Sequence, residues 1–342
     1  MISICIPVYN FGAFLGETLD SILDQCQLSS VPIEVLVLDG ASTDNTEVVV
    51  SSRLEKHSQL RYIRLPKKGG IDADLAESIQ QARGEYCWLF SGDDLMHAGA
   101  LQRALTWIEH RHDVYICKHL NCDIKMRVLG EHSVFRDNQV RVAELSDPHQ
   151  RIPYFSAAVT TEAVFSFMSG LIVRRDKWLS VNSDQEFLGS CWAHVARLFT
   201  MAEKQLRVCY VGEAWLSRRG GNDSFRDRGL VHRLAIAVNG YHQIADRFYG
   251  HGSEEAAHIR RMVRNDLALR WWIEAKHLSA LEPDSESRTE LDQLVERCYG
   301  DTNFACWSAR IIYRMAPVSG YRMLRWAYSH AVKRNEARSH VS

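Results

Sequence analysis

Short apolar runs alternate with helically spaced stretches through the first ninety residues. Ile2-Ser3-Ile4-Cys5-Ile6 is an apolar run closed by Pro7-Val8-Tyr9-Asn10. Phe14, Leu15, Leu19, Ile22 and Leu23 then recur on one helical face. Ile33-Glu34-Val35-Leu36-Val37-Leu38 predicts a second strand, ending at Asp39. Gly40-Ala41 predict a turn, and Ser42 or Thr43 predicts the cap of a helix starting near Asn45. Leu60-Arg61-Tyr62-Ile63 predicts a third strand, and 72–83 a helix after Gly69-Gly70. Tyr86-Cys87-Trp88-Leu89-Phe90 predicts a fourth strand that ends at two adjacent carboxylates, Asp93 and Asp94. This alternation predicts an α/β fold with a mostly parallel central sheet flanked by helices.

Open sheets of this kind bind ligands at the C-terminal ends of their strands. Three strand ends carry polar groups to one rim: Tyr9 with Asn10, Asp39, and Asp93 with Asp94. Two carboxylates there suit a hard divalent cation, which in turn holds a diphosphate. The pattern points to a metal-assisted enzyme acting on a nucleotide-linked substrate.

Composition narrows the class. With 342 residues, 46% hydrophobic and 24% charged, the chain is long enough for one or two globular domains. A net charge of −1 gives no global field to recruit nucleic acid, so none is expected as a partner. The nine cysteines are scattered without a C-x-x-C pair, and Cys5, Cys87 and Cys117 lie in apolar runs. Buried free thiols in a reducing cytoplasm are expected. The first strand begins at once and no run of about 18 apolar residues occurs, so a cytoplasmic location without a membrane span is expected.

After about residue 225 the pattern turns helical, rich in Arg, Trp, Ala and Leu. The expected division is a catalytic domain over 1–225 and a helical C-terminal region over 226–342. Residues 301–342 carry seven Lys/Arg against two Asp/Glu. Trp307, Ile311, Ile312 and Met315 recur at helical spacing beside Arg310 and Arg314. Beyond Pro317, Met323, Leu324, Trp326 and Ala327 continue the apolar pattern with Arg322 and Arg325, before Lys333, Arg334 and Arg338. Trp and Arg beside an apolar face suit a membrane headgroup region, so peripheral attachment to the inner face of the cell membrane is expected. The alternative for the same face is packing on the catalytic domain or a partner subunit.

The motifs I-P-V-Y-N (6–10), V-L-D-G-A-S-T-D-N-T (37–46), K-G-G-I-D-A-D (68–74), A-R-G-E-Y (82–86) and F-S-G-D-D (90–94) stand in order. Together they resemble a family 2 glycosyltransferase of the GT-A fold. F-M-S-G-L-I-V-R-R (167–175) resembles that family's acceptor-side strand, and the likeness spans roughly 1–220. G-S-C-W-A-H (189–194) and R-R-G-G-N-D-S-F (218–225) are similar to O-antigen transferases of the abequosyltransferase type. The resemblance implies transfer from a nucleoside diphosphate sugar, with a CDP-linked dideoxyhexose as the first candidate. The implied acceptor is a hydroxyl of a polyprenyl-linked saccharide, and the implied cofactor is Mn2+ or Mg2+. Two rivals remain at this level. A sugar-nucleotidyltransferase would show a basic Gly-rich loop after the first strand, and residues 7–12 carry no basic residue. A non-catalytic saccharide- or nucleotide-binding scaffold is the other.

The resemblance also assigns residues. Asp94 would bind the metal and Asp93 the metal or the ribose, although Ser91 stands where the family often has a further Asp. Asp39 would accept from the nucleotide base, walled by Pro7, Tyr9 and Asn10, although Gly40 stands where a second Asp is common. Asp72 and Asp74 either reach ribose or sugar hydroxyls or are first-turn acids favoured by the helix dipole. Gly170 either faces the acceptor or forms a bulge. The family's base is an E-D pair, whose place here falls on Ser190 and Cys191. Candidate bases nearby are His194, Glu186 and Asp184, with His194 alternatively a ligand or a packed helix residue. A retaining reaction would need no such base. Arg218, Arg219, Asn222 and Asp223 around Gly220-Gly221 suggest a lid over the diphosphate, or a helix cap by Asp223 or Ser224.

Overall fold

The computed structural model describes residues 1–27, 29, 31–182, 185–222, 228–280 and 285–317. Strand β1 (Ile2–Val8) is buried along its whole length, as befits a central strand covered on both faces. It pairs in parallel with β2 (Ile33–Asp39) on one side and β4 (Tyr86–Leu89) on the other, and β3 (Leu60–Arg64) continues beyond β2. Helices α1 (Leu15–Cys26), α2 (Thr46–Leu54) and α3 (Ile71–Gln81) make the crossovers. The strand order 3-2-1-4 reverses direction at β1, which opens a crevice at the strands' C-terminal ends. Register places Val8 opposite Asp39 and Cys5 opposite Leu89, so the polar groups after all three strands reach one rim.

Strand β5 (Leu95–Met96) and helix α4 (Ala100–Ile108) precede β6 (Val114–Cys122), β7 (Val128–Glu131), β8 (Arg141–Glu144) and helix α5 (Pro148–Ala157). Strand β9 (Leu171–Arg174) lies antiparallel between β4 and β6. Its start therefore meets the end of β4, and this brings Ser169 to the rim. Helices α6 (Arg175–Leu179) and α7 (Ala193–Ala202) lead to β10 (Arg207–Arg219), parallel to β6. Strands β5 and β8 pair antiparallel with β10, and β7 with β6. Trp88 packs edge-on against Trp215 and Phe90, with centroids 5.8 and 6.0 Å apart, and its Nε1 donates to Ser169 O at 2.9 Å. Each such ring removes about 150–250 Å2 from water, on the order of 4–6 kcal/mol. The same tryptophan thus anchors the core and the segment that faces the site.

Local expectations fail in three places. The predicted cap of α2 by Ser42 or Thr43 is absent; Asp44 instead accepts from Thr46 N at 3.0 Å and Gly12 N at 2.9 Å. The acceptor-side run is a strand only over 171–174, because Met168–Gly170 makes a 3-10 turn. Gly170 is neither a bulge in the strand nor open to a ligand. It is buried in that turn, where a Cβ would lie 3.0 Å from the Cys117 carbonyl of β6. All nine cysteines are unpaired, and only Cys191 is partly exposed.

Two compact units divide the chain. The first comprises 1–223 and 240–262, the second 224–239 and 263–342. Helix α8 (Gly229–Tyr249) and helix α9 (Glu254–Asp266) each contribute to both. The second unit also holds α10 (Leu269–Ser279), α11 (Ser285–Cys298) and α12 (Phe304–Met315). Asn303 caps α12 by accepting from Cys306 N at 2.9 Å. Lys276 ends it by donating to the carbonyls of Tyr313, Arg314 and Ala316 at 2.7–3.1 Å, where a helix leaves its acceptors unpaired.

Candidate active site

Asp93 and Asp94 follow β4 and are both buried. Asp94 Oδ2 accepts from Ser169 Oγ at 2.6 Å, and Oδ1 accepts from Arg219 N at 3.0 Å. Asp93 accepts from the Ser91 hydroxyl and from Asn222. Ser91 thus supports a carboxylate where the family often supplies another. Burial, and then the neighbouring charge of Asp93, raises the Asp94 carboxyl to about 7, and burial raises Asp93 as well. Each Asp94 oxygen still has a free lone pair. Two buried oxygen donors held against their preference for protonation suit a hard divalent cation, which relieves both penalties.

The end of the rim formed by β1, β2 and β3 is more fully satisfied. Asp39 Oδ1 accepts from Ser42 N at 2.7 Å, and Oδ2 accepts from Tyr62 OH at 2.6 Å and Arg64 Nη1 at 3.0 Å. Asn10 sits at φ 59°, a left-handed conformation that asparagine tolerates. Its amide N donates to Ser42 Oγ at 2.9 Å and its Oδ1 accepts from Thr43 N at 2.8 Å, which latches the β1 and β2 loops together. Pro7 is buried within β1, and Tyr9 carries the Lys68 ammonium 3.7 Å above its ring.

Asp74 and Asp72 part ways. Asp74, in the first turn of α3, projects into the space left by Gly40 and Gly69. A Cβ on residue 40 would lie 2.5 Å from Asp74 Oδ2, and one on residue 69 would lie 2.4 Å from Oδ1. Its buried Oδ1 has no well-formed hydrogen bond among the described residues, and burial raises its carboxyl against the opposing pull of the Gly69 and Gly70 N–H groups. Gly40 therefore makes room for a carboxylate arriving from α3. Asp72 instead binds the backbone before α7, accepting from Gly189 N at 2.9 Å, Cys191 N at 3.0 Å and Ala193 N at 3.2 Å. Its carboxylate is spent on holding a loop that has positive φ at Gly189 and Cys191. It is not a group left for sugar hydroxyls.

The candidate bases are not poised for proton abstraction. His194 is buried in α7, and its Nε2 donates to Phe165 O at 3.1 Å. Burial lowers it to about 4, so it is a neutral packed histidine and a poor proton acceptor near neutrality. Glu186 lies exposed in a 3-10 turn and accepts from Gln243 Nε2 at 2.7 Å. Asp184 lies outside the described residues.

The expected arginine pair also separates. Residues 218 and 219 are the end of β10, so their side chains leave on opposite faces. Arg219 is buried and donates to Asp93 O at 3.0 Å, Ile124 O at 2.8 Å and Glu17 Oε2 at 2.5 Å. It is an internal strut, not a lid residue. Arg218 is exposed, 5.9 Å from the Phe167 centroid. Asp223 and Ser224 lie outside the described residues. Sequence reading missed Ser169, Tyr62, Arg64 and Lys68. Ser169, next to the noticed Gly170, and Lys68, next to Gly69-Gly70, carried a local signal; Tyr62 and Arg64 read only as strand.

Residues 3–169 match the family model described as Glycosyl transferase family 2. Abequosyltransferase RfbV of Salmonella typhimurium is 28% identical over 298 residues, spanning 86% of this chain and 88% of its own. Glycosyltransferase GlyG of Streptococcus pneumoniae is 27% identical over 124 residues, 36% of this chain and 40% of its own. A crystal structure of S. aureus TarS in complex with UDP-GlcNAc shares the fold at a TM-score of 0.57 and 17% identity, covering 96% of this chain and 92% of that one. Mannosyltransferase PcManGT from Pyrobaculum calidifontis, in complex with GDP-Man and Mn2+, does so at a TM-score of 0.51 and 17% identity, covering 91% and 86%. The mostly parallel sheet with its carboxylate rim is thus the GT-A fold, and the chain belongs to glycosyltransferase family 2 as a nucleotide-sugar glycosyltransferase.

Proposed function

We propose that this transferase uses a CDP-linked dideoxyhexose and delivers the sugar to a hydroxyl of a polyprenyl-linked saccharide in O-antigen synthesis. The carrying observation is the match to an abequosyltransferase over 86% of the chain, which extends into the helical C-terminal region. Domain roles follow the same reading, with catalysis in 1–225 and an accessory helical region in 226–342.

Asp94 and Asp93 would hold Mn2+ or Mg2+, which when bound supplies charge neutralisation to the departing diphosphate. Asp74 faces the nucleoside, with Tyr9 as a wall and Lys68 above it, while Asp39, its oxygens taken by Ser42, Tyr62 and Arg64, holds the shape of that end of the rim. Ser169 orients Asp94, and Arg219 fixes the backbone of Asp93. Arg218, exposed at the end of β10, would meet a phosphate. Neither Ser190 nor Cys191 is a carboxylate, so the acceptor proton leaves by a route other than an E-D pair.

A thermal-shift screen of CDP, UDP, GDP and dTDP with Mn2+ tests the donor. CDP at 100 times its Kd should stabilise the protein by about 2.7 kcal/mol. A larger shift with another base refutes the CDP reading. The missing E-D pair favours one second reading, a nucleotide-binding scaffold. Binding with neither donor hydrolysis nor transfer would establish it, and product NMR assigns the anomeric outcome of any transfer.

We also place the protein at the inner face of the membrane through its C-terminal region. Among the described residues no helix is long and apolar enough to cross a bilayer. On α12, Phe304, Trp307, Ile312 and Met315 are 77%, 51%, 50% and 77% exposed, while Cys306, Ala309 and Tyr313 form its buried face. This exposed apolar stripe supports the reading. Arg310 and Arg314 both pair with Glu296, so they add less attraction than free cations would. The rest of the expected attachment segment, 318–342, lies outside the described residues. Replacing Phe304, Trp307 and Met315 by Ser should abolish flotation with anionic liposomes; wild-type protein that fails to float at low salt refutes the attachment.

A further inference from the structure

A second convergence of ligating atoms lies in the first unit, on residues other than those of the carboxylate rim. His119 is on β6, His132 follows β7, and Glu162 lies in the 3-10 turn Thr161–Val164. Backbone pairing brings them together: His132 N donates to His119 O at 3.0 Å, and the imidazoles stack with centroids 4.7 Å apart. His119 is fully buried and Glu162 nearly so. One ligating atom from each of the three lies within 4.8 Å of the others.

The hydrogen bonds around the cluster show what it lacks. His119 Nε2 lies 3.1 Å from Asn121 Oδ1, an acceptor two residues along the same strand face. That contact assigns the ring proton to Nε2 and leaves a lone pair on Nδ1. Nδ1 faces Glu162 Oε2 at 3.4 Å, and neither atom has a well-formed hydrogen bond. In that tautomer two acceptors meet in a buried place, a cost that either a proton on Nδ1 or a cation joining the two removes. On the other side, His132 Nε2 is 3.3 Å from Glu162 Oε1. Two ligands bonded at about 2.05 Å to a tetrahedral zinc ion stand roughly 3.3 Å apart. The 3.4 Å to Glu162 Oε2 and the 3.3 Å to Glu162 Oε1 both match that spacing, so the carboxylate bridges the two imidazoles at ligand distances.

We propose that His119, His132 and Glu162 form a transition-metal site, with zinc as the ion. Two imidazole nitrogens and one carboxylate are a borderline-soft set that selects Zn2+ over Mg2+ or Ca2+, unlike the all-oxygen pair at Asp93 and Asp94. Asn121 acts as the outer partner that fixes the His119 tautomer. His132, whose side chain is 22% exposed, leaves the fourth position and the path of entry on its side. Its Nε2 also contacts Thr160 Oγ1 at 3.2 Å, and Thr160 gives its own proton to Ser133 O, so the ion replaces a proton on His132. The charges of Arg218 and Lys118 act against a cation here; Lys118 is offset by its contacts with Glu131 and Asn138. Phe167, whose ring is 4.4 Å from His119, connects the site to the segment bearing Ser169. The ion would pin the His132 segment and the Thr161–Val164 turn onto β6.

The test uses full-length protein stripped with a chelator and titrated with zinc against a chromophoric competitor. Wild type and Asp94→Asn should each take up one tight equivalent and gain thermal stability from it. Glu162→Gln, which keeps the side-chain volume, should bind at least about 100-fold more weakly and gain none. His119→Gln serves as the second variant should Glu162→Gln fail to fold by circular dichroism. X-ray absorption of the loaded protein should show a nitrogen and oxygen shell with two imidazoles. No tight equivalent in wild type, undiminished binding by the folded variant, or a shell of sulfur or of oxygen alone would overturn the proposal.

Discussion

At the end of β4, two buried carboxylates are held in a site that penalises their charge: burial and mutual repulsion raise Asp94 to about 7. At the loop before α7, burial raises the Asp72 carboxyl as well, but there three backbone N–H groups surround it and oppose the rise. Both regions were expected to supply site carboxylates, and the first unit uses them in opposite ways. Asp93 and Asp94 retain unused acceptor capacity and conflict with their surroundings, the condition of a ligand site. Asp72 has given that capacity to the fold. A carboxylate near a crevice is therefore judged by which of its lone pairs the protein has already taken.

The largest test of this contrast is Asp94→Asn. On the proposed metal role, losing this charge should cost several kcal/mol in the transition state, on the order of a 10³-fold fall in transfer rate. The melting temperature should hold or rise, because a neutral amide removes the burial penalty. A variant that melts earlier, or that keeps its rate in the presence of a chelator, would make Asp94 a structural residue like Asp72.

Next is acid sensitivity from His194, beside the Asp72-bound loop. Its folded value of about 4 lies below the ordinary 6.5, so between these the unfolded chain binds more protons. This contribution is present above pH 6.5 and is lost as pH falls toward 4. At about 1.4 kcal/mol per unit the loss is on the order of 3 kcal/mol. Urea titrations at pH 7 and pH 4.5 should show a smaller drop for His194→Gln than for wild type; equal drops would mean that His194 is charged in the folded protein.

Asp72→Ala should come third. Removing the acceptor from three backbone donors should cost about 2–3 kcal/mol of stability. Nucleotide affinity, read by calorimetry on the still-folded variant, should change little. Loss of affinity without loss of stability would return Asp72 to the donor site. The smallest effect belongs to Glu186→Gln, an exposed residue, where stability should stay within about 0.5 kcal/mol and the transfer rate should hold. A large fall in rate at unchanged stability would identify Glu186 as the base after all.

The strands, their order along the chain and the polar groups at their ends were legible because period and punctuation are local. Ile2 to Ile6, Ile33 to Leu38 and Tyr86 to Phe90 each read as strands from a few consecutive residues, and Asp39, Asp93 and Asp94 followed as strand-end groups. Less legible was what each polar group touches. Arg218 and Arg219 are adjacent in sequence, yet the pleat sends one outward and the other inward to Glu17. Gly40 read as a lost carboxylate, whereas it is the space that Asp74 occupies from another element.

The sequence by itself determined the alternating α/β architecture, the rim and, through motifs in order, the family. Tertiary structure alone decided that Asp72 ties a loop, that His194 is buried and neutral, that Ser169 reaches Asp94 from an antiparallel strand, and that His119, His132 and Glu162 converge. The physical reason is range. Periodicity and turn chemistry act over a few residues, whereas hydrogen-bond saturation and desolvation depend on partners far apart in the chain, as Ser169 is from Asp94 and Glu162 from His119.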